Sequence, residues 1–178
     1  MEGWKGRDEE LKMSPTNPTP LNYFLGIDPG LSEVGFGIVK LEKNEPFFVD
    51  CGIIKTTPAL PFGERLSLIK KDLKEILSLH SFAAVGIEEL FFVKNITNGI
   101  KVAHARGVIF EELSSRGLAI HEFKPTEVKA NICGNGHADK LQVQIMVQKL
   151  LHLNQLPKPH DAADALAIAI LTSRVHKL

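Results

Sequence analysis

The run Phe24-Leu25-Gly26-Ile27-Asp28-Pro29-Gly30 constrains the fold more than any other stretch. It is apolar, interrupted by one carboxylate and closed by Pro-Gly, the pattern of a buried strand that ends in a turn. A buried carboxylate without a partner is costly or gives up its charge. Two roles therefore fit Asp28. It can be a paired or metal-bound residue at the end of a central strand, or a cap on the following turn. The other acids of the chain decide between them.

Periodicity supplies the frame. Tyr23–Asp28 is the first expected strand. Val34, Phe36 and Ile38 alternate with Gly35, Gly37 and Val39 in a second. Asn44-Glu45-Pro46 signals a turn, and Phe47–Thr56 is a β-branched and aromatic third strand, so these three predict an antiparallel meander. Leu66, Ile69, Leu73, Ile76 and Leu77 share one helical face. Ala83–Glu88 is a fourth strand, Asn95–Arg116 a long helix stopped by Gly117, and Leu118–Phe123 a fifth strand. A short helix over Pro125–Cys133 and a loop at Gly134-Asn135-Gly136 follow. The next helix puts Val143, Met146, Val147, Leu150 and Leu151 on one face; Pro157 and Pro159 break the chain before an Ala-rich helix, Asp161–Val175. This order predicts an α/β fold, a mixed five-stranded sheet with helices on both faces. Residues 1–22, with their charges and prolines, are expected to be a flexible tail, leaving 23–178 as one domain.

Composition narrows the class. No apolar run is long enough to span a bilayer, and the N-terminus has no apolar leader, so the expected compartment is the cytoplasm. Cys51 and Cys133 are isolated and are expected to be buried small hydrophobes in a reducing compartment. Net charge is zero, which argues against a general nucleic-acid binder. The balance is deceptive, however. Residues 1–22 carry three Lys/Arg against four Asp/Glu, so the rest is +1. With four of its carboxylates neutralised by metal, the remaining surface is effectively +5.

Four carboxylates stand out. Asp28 and Glu88 end expected strands, and Asp161 and Asp164 fall at i, i+3 on the last helix. Alanines surround that pair, so the helix can approach a sheet closely. Taken singly, Asp161 also suits a helix start and Glu88 an exposed strand end. Together they form a set that cannot all stay ionised without a cation. Oxygen-only ligands suit Mg²⁺ or Mn²⁺, and two such ions can activate water and stabilise a leaving oxygen in phosphodiester cleavage.

The segments GIDPG, VGIEELFFVKN, HARG, HADK and HDAADALAIA, in this order, resemble the RuvC family of Holliday junction resolvases over about residues 23–178. The resemblance implies a ribonuclease H-like fold, a homodimer, Mg²⁺ or Mn²⁺ as cofactor, and nicking of four-way junction DNA during recombination and repair. It also implies the branch-migration proteins RuvA and RuvB as partners. Carried onto this chain, the acidic set falls on Asp28, Glu88, Asp161 and Asp164, the junction-stacking aromatic on Phe91, and substrate-contacting lysines on Lys129 and Lys140. Phe91 has support of its own, because two adjacent aromatics on an extended segment cannot both face inward. Lys94, Lys101, Arg106 and Lys124 suit a solvated surface singly and phosphate contacts as a set. His160, beside Asp161, is a further residue within reach of the site.

Other classes compete. A ribonuclease H-like nuclease acting on structured RNA would share the acids. An actin-like ATPase also has an Asp-Pro-Gly after a strand, but it needs two such domains, and the chain has no GxxxxGK[ST] loop. A junction-binding module without activity would have no use for the acid set. For the dimer, the strip Gly99, Ala103 and Gly107 on the long helix is the candidate interface; the same strip could instead pack on its own sheet.

Overall fold

The computed structural model describes residues 22–90 and 96–176. The expected tail lies outside them except for Asn22. A five-stranded sheet in the order β3-β2-β1-β4-β5 forms the middle layer. Its strands are β1 (Tyr23–Asp28), β2 (Glu33–Glu42), β3 (Glu45–Lys55), β4 (Phe82–Glu88) and β5 (Ala119–Phe123). The first three form the antiparallel meander, and β4 and β5 add in parallel. The helices are α1 (Phe62–Leu79), α2 (Ile96–Ser115), α3 (Pro125–Cys133), α4 (Lys140–Leu150) and α5 (His160–Val175).

The β2–β3 hairpin is tighter than expected. Lys43 and Asn44 both have positive φ, 51° and 68°, the geometry of a two-residue hairpin turn. The strands therefore run to Glu42 and Glu45, and Pro46 lies inside edge strand β3 instead of in the turn. The cysteines also differ from expectation: Cys51 and Cys133 are free but only half-buried.

The sheet separates two cores. On one side α1 and α2 cover Leu25, Ile27, Val85 and Ile87 with Ile69, Leu73, Ala105, Ile109 and Leu113. On the other, α3, α4 and α5 cover Phe24, Ala84 and Phe123. Strand residues of opposite parity face opposite sides, so Phe24 and Leu25 enter different cores.

Helix α5 lies almost on the sheet backbone. Strand register puts Gly37, Gly26 and Gly86 side by side on β2, β1 and β4. A Cβ at Gly26 would stand 2.0 Å from the Ala165 carbonyl oxygen, and one at Gly37 would stand 2.6 Å from the Leu166 nitrogen. Ala162, Ala163, Ala165, Ala167 and Ala169 are fully buried along the helix. Small residues on both partners bring this helix closer to the sheet than Leu or Val side chains would allow.

Candidate active site

The glycine row decides where the acids go. Asp28 is two residues beyond Gly26, and Glu88 two beyond Gly86, so both side chains share the face covered by α5. Asp161 and Asp164 reach the same place from the first turns of α5. Carboxylate oxygens of Asp28, Asp161 and Asp164 lie within 4.8 Å of one another. Glu88 stands outside that tight trio but lines the same cleft of 320 Å³ as Asp28 and Asp164. The structure thus brings together all four acids, three of them closely.

The two lysines singled out in the sequence also line this cleft. Lys129 rides on α3, which Pro125 opens at a position suited to proline and Gly134, at φ 73°, closes. Lys140 is the first residue of α4. A capping box fixes it: the Asp139 carboxylate accepts from the Gln142 N–H at 2.8 Å, and the Gln142 side-chain oxygen accepts from the Asp139 N–H at 2.8 Å. Phe91 and Lys94 lie outside the described residues. Arg106 is not a free surface charge: it ion-pairs with Glu122, and its Nε donates to the Glu88 carbonyl at 3.3 Å. It therefore braces the end of β4, a role the HARG segment alone did not disclose. His160 is exposed, and its charge acts on Asp164.

Electrostatic strain marks the site. Burial pushes Asp28 well above the usual carboxylate range, and the charges of Glu88, Asp164 and Asp161 push the same way, with Lys140 opposing. Burial, then Asp164, raises Glu88 to about 7 against the pull of Lys129 and Lys140. Asp164 is raised chiefly by burial; Lys140 opposes and Asp161 adds. Such a set holds protons that a hard cation would replace. Oxygen donors alone, without Cys or His among the converging ligands, fit a divalent ion of the magnesium or manganese kind.

Strand-end acids, this sheet order and a helix laid over a glycine row define an enzyme of the ribonuclease H-like α/β class. The family model for the crossover junction endodeoxyribonuclease RuvC matches residues 24–172. A RuvC from Roseiflexus is 42% identical over 146 residues, covering 82% of this chain and 87% of that relative. The solved RuvC of Thermus thermophilus superposes with a TM-score of 0.79 at 33% identity, over 85% of this chain and 93% of that one. The same Thermus protein in complex with a Holliday junction substrate matches with a TM-score of 0.78 at 33% identity, over 84% and 91% of the two chains. The chain belongs to the RuvC family of crossover junction endodeoxyribonucleases.

Proposed function

We propose that this protein resolves four-way DNA junctions by paired, metal-dependent nicks. The observation that carries the reading is the cluster of acids in a chain that matches the RuvC family over residues 24–172: Asp28, Glu88 and Asp164 line one cleft, and Asp161 brings a carboxylate oxygen within 4.8 Å of those of Asp28 and Asp164. The likeness to a RuvC solved on a Holliday junction favours this substrate over structured RNA. In this reading residues 23–178 are the nuclease domain, 1–22 a tail, and the site of action is the cytoplasm. No helix among the described residues is long and apolar enough to cross a membrane.

The four acids are the catalytic set and hold Mg²⁺ or Mn²⁺, two ions per site. The ions, when bound, supply an activated water and charge stabilisation for the leaving oxygen. The carboxylates hold and space them. Burial keeps bulk water from screening the charges. Lys129 and Lys140 sit where phosphate oxygens of the cut strand would enter, neutralising their approach to the acids. Phe91 offers a stacking surface for bases opened at the crossover. RuvA and RuvB are the partners that would deliver the junction.

The direct test is incubation with a synthetic four-way junction. Symmetric nicks are expected with Mg²⁺ and none in excess EDTA. Full activity in EDTA, or equal cutting of linear duplex, would refute the reading.

Two nicks on symmetry-related strands call for two sites, and a C2 dimer supplies them. The outward face of α2 is the proposed interface. Ala105, Ile109 and Leu113 face the core, whereas Ile100 is 51% exposed, and a Cβ at Gly107 would meet nothing within 4 Å. Ala103 therefore lies on a face open to a partner and not on the sheet. Ala103→Trp is expected to give a folded monomer that binds metal but makes no paired nicks. Light scattering checks it: a wild type that stays monomeric at micromolar concentration and on junction DNA would end the dimer proposal.

A further inference from the structure

The acid cluster divides two clefts. The one already described holds Lys129 and Lys140 on the α3 and α4 side. A second, of 630 Å³, opens from Asp161 on the α1 and α2 side; Ser32, Lys55, Thr56, Arg65 and Lys101 are among its walls. Arg65 is the unusual member. It is only 8% exposed. Its Nε donates to Thr56 Oγ1 at 2.8 Å, and its Nη2 donates to Ser32 Oγ at 2.9 Å. Thr56 Oγ1 donates in turn to the Leu31 carbonyl at 2.6 Å.

Hydroxyls orient a guanidinium but do not neutralise it. Among the described residues no carboxylate forms an ion pair with Arg65. A cation this deep is ordinarily paired, because its desolvation is otherwise uncompensated. Five N–H donors in a planar fork suit a phosphate better than two hydroxyls do. Lys101, exposed on α2 and also without an ion pair to a described residue, lines the same cleft. Lys55 pairs with Glu33, also a wall of this cleft, at 3.5 Å, so the basic walls that no described carboxylate neutralises are Arg65 and Lys101. A cleft with such walls, continuous with a metal-ligand carboxylate, suits an anion that belongs to the same molecule as the reacting group. A DNA backbone phosphate is that anion.

We infer that Arg65 and Lys101 bind a backbone phosphate flanking the scissile one, on the side of the acids away from Lys129 and Lys140. The inference rests on the junction-nuclease reading. The cut strand crosses the end of the sheet and is gripped on both sides of the break. Arg65 serves as a phosphate contact that its hydroxyl partners hold ready, and Thr56 is a positioning residue.

Junction binding at several salt concentrations, in a non-cleaving Asp28→Asn background, tests this. Arg65→Gln should weaken binding about tenfold and flatten the plot of log K against log salt by about one ion. Lys101→Gln, which breaks no internal bond, should weaken binding about threefold with the same flattening and an unchanged melting temperature. Thr56→Val, which keeps every charge, should leave the salt slope as it was. If Arg65 only pins the loop after β1, its variant will melt earlier without altering the slope, and the inference fails. Should Arg65→Gln not fold, Lys101→Gln decides: an unchanged affinity and slope overturns the proposal. A parent protein that neither binds nor nicks junctions overturns the functional reading and this inference with it; one that does both while the two variants match it overturns the inference alone.

Discussion

Asp28→Asn is expected to abolish nicking and, without metal, to raise the melting temperature. The loss of a ligand for the reacting charge costs roughly a hundred- to a thousandfold or more in rate. The gain in stability follows from burial. Burial and three neighbouring acids all disfavour the charged form of Asp28, and a neutral isostere removes that penalty. Substitutions that relieve a strained site commonly add about 0.5–2 kcal/mol, which is roughly 2–4 °C per kcal/mol for a chain of this size.

The same physics fixes the pH dependence. Glu88 ordinarily titrates near 4.5 and is raised to about 7 in the fold. The folded state holds that proton more tightly than the unfolded state does. Its stabilising contribution is therefore complete below about pH 4.5 and is lost as pH rises through about 7. The full shift corresponds to about 3 kcal/mol, and partial solvent screening reduces it to roughly 1–2 kcal/mol. Metal-free wild type should thus melt lower at pH 7.5 than at pH 5, and Mg²⁺ should restore it at pH 7.5. Scanning calorimetry with and without EDTA checks both. A metal-free Asp28→Asn that melts below the wild type at pH 7.5 would refute the account, as would one that nicks normally.

Gly35→Ala should be more damaging than its size suggests. Its Cβ would stand 2.1 Å from the Asp161 carbonyl oxygen and 3.3 Å from Asp161 Cβ. The two nearest atoms belong to the Asp161 backbone, which cannot yield as a flexible side chain would, so α5 must move. Overpacking of this kind costs about 1–3 kcal/mol and occasionally more; a backbone-on-backbone clash belongs at the upper end. The displaced element carries two of the four acids, and a misplacement of about 1 Å can cost a hundredfold in catalysis. Molecules that still fold should therefore bind Mn²⁺ more weakly. Gly63→Ala is the control: a Cβ there meets nothing within 4 Å, in helix α1, and the change should stabilise by roughly 0.5–1 kcal/mol. Thermal melts and Mn²⁺ titration read the two variants. Equal melting temperatures and equal affinities would show that α5 has slack that the described packing denies.

Much of this site was legible in the chain because its signals are local. Asp28 and Glu88 each end an apolar run, and strand ends are readable from a few residues. Asp161 and Asp164 announce a shared helical face by their spacing. The alanines of α5 pointed to a close approach, but its counterpart stayed hidden. Gly26, Gly37 and Gly86 are far apart in sequence, and only strand register makes them a row. Arg65 was invisible for a similar reason. In the sequence it is one charge on an amphipathic helix; its meaning comes from hydroxyls on the loop after β1 and at the end of β3. Arg106 looked like solvated surface because Glu122 and the Glu88 carbonyl reach it only in the fold. The hairpin turn was misplaced by one or two residues because Asn44-Glu45-Pro46 is a turn-rich composition, whereas the left-handed pair is Lys43-Asn44.

The order of the acids along the chain has a consequence for synthesis. Two come from the sheet, but Asp161 and Asp164 belong to α5, which follows every other described element. A growing chain emerges at about 5–20 residues per second, so the ligand set stays half-complete for several seconds after Glu88 appears. Throughout that interval Gly26, Gly37 and Gly86 lack the helix that covers them, and Asp28 and Glu88 lack the other two acids of the proposed set. In the proposed reading, a nuclease whose last helix completes its metal site is inert while it is being made, and any product released early, short of α5, lacks half of its acids.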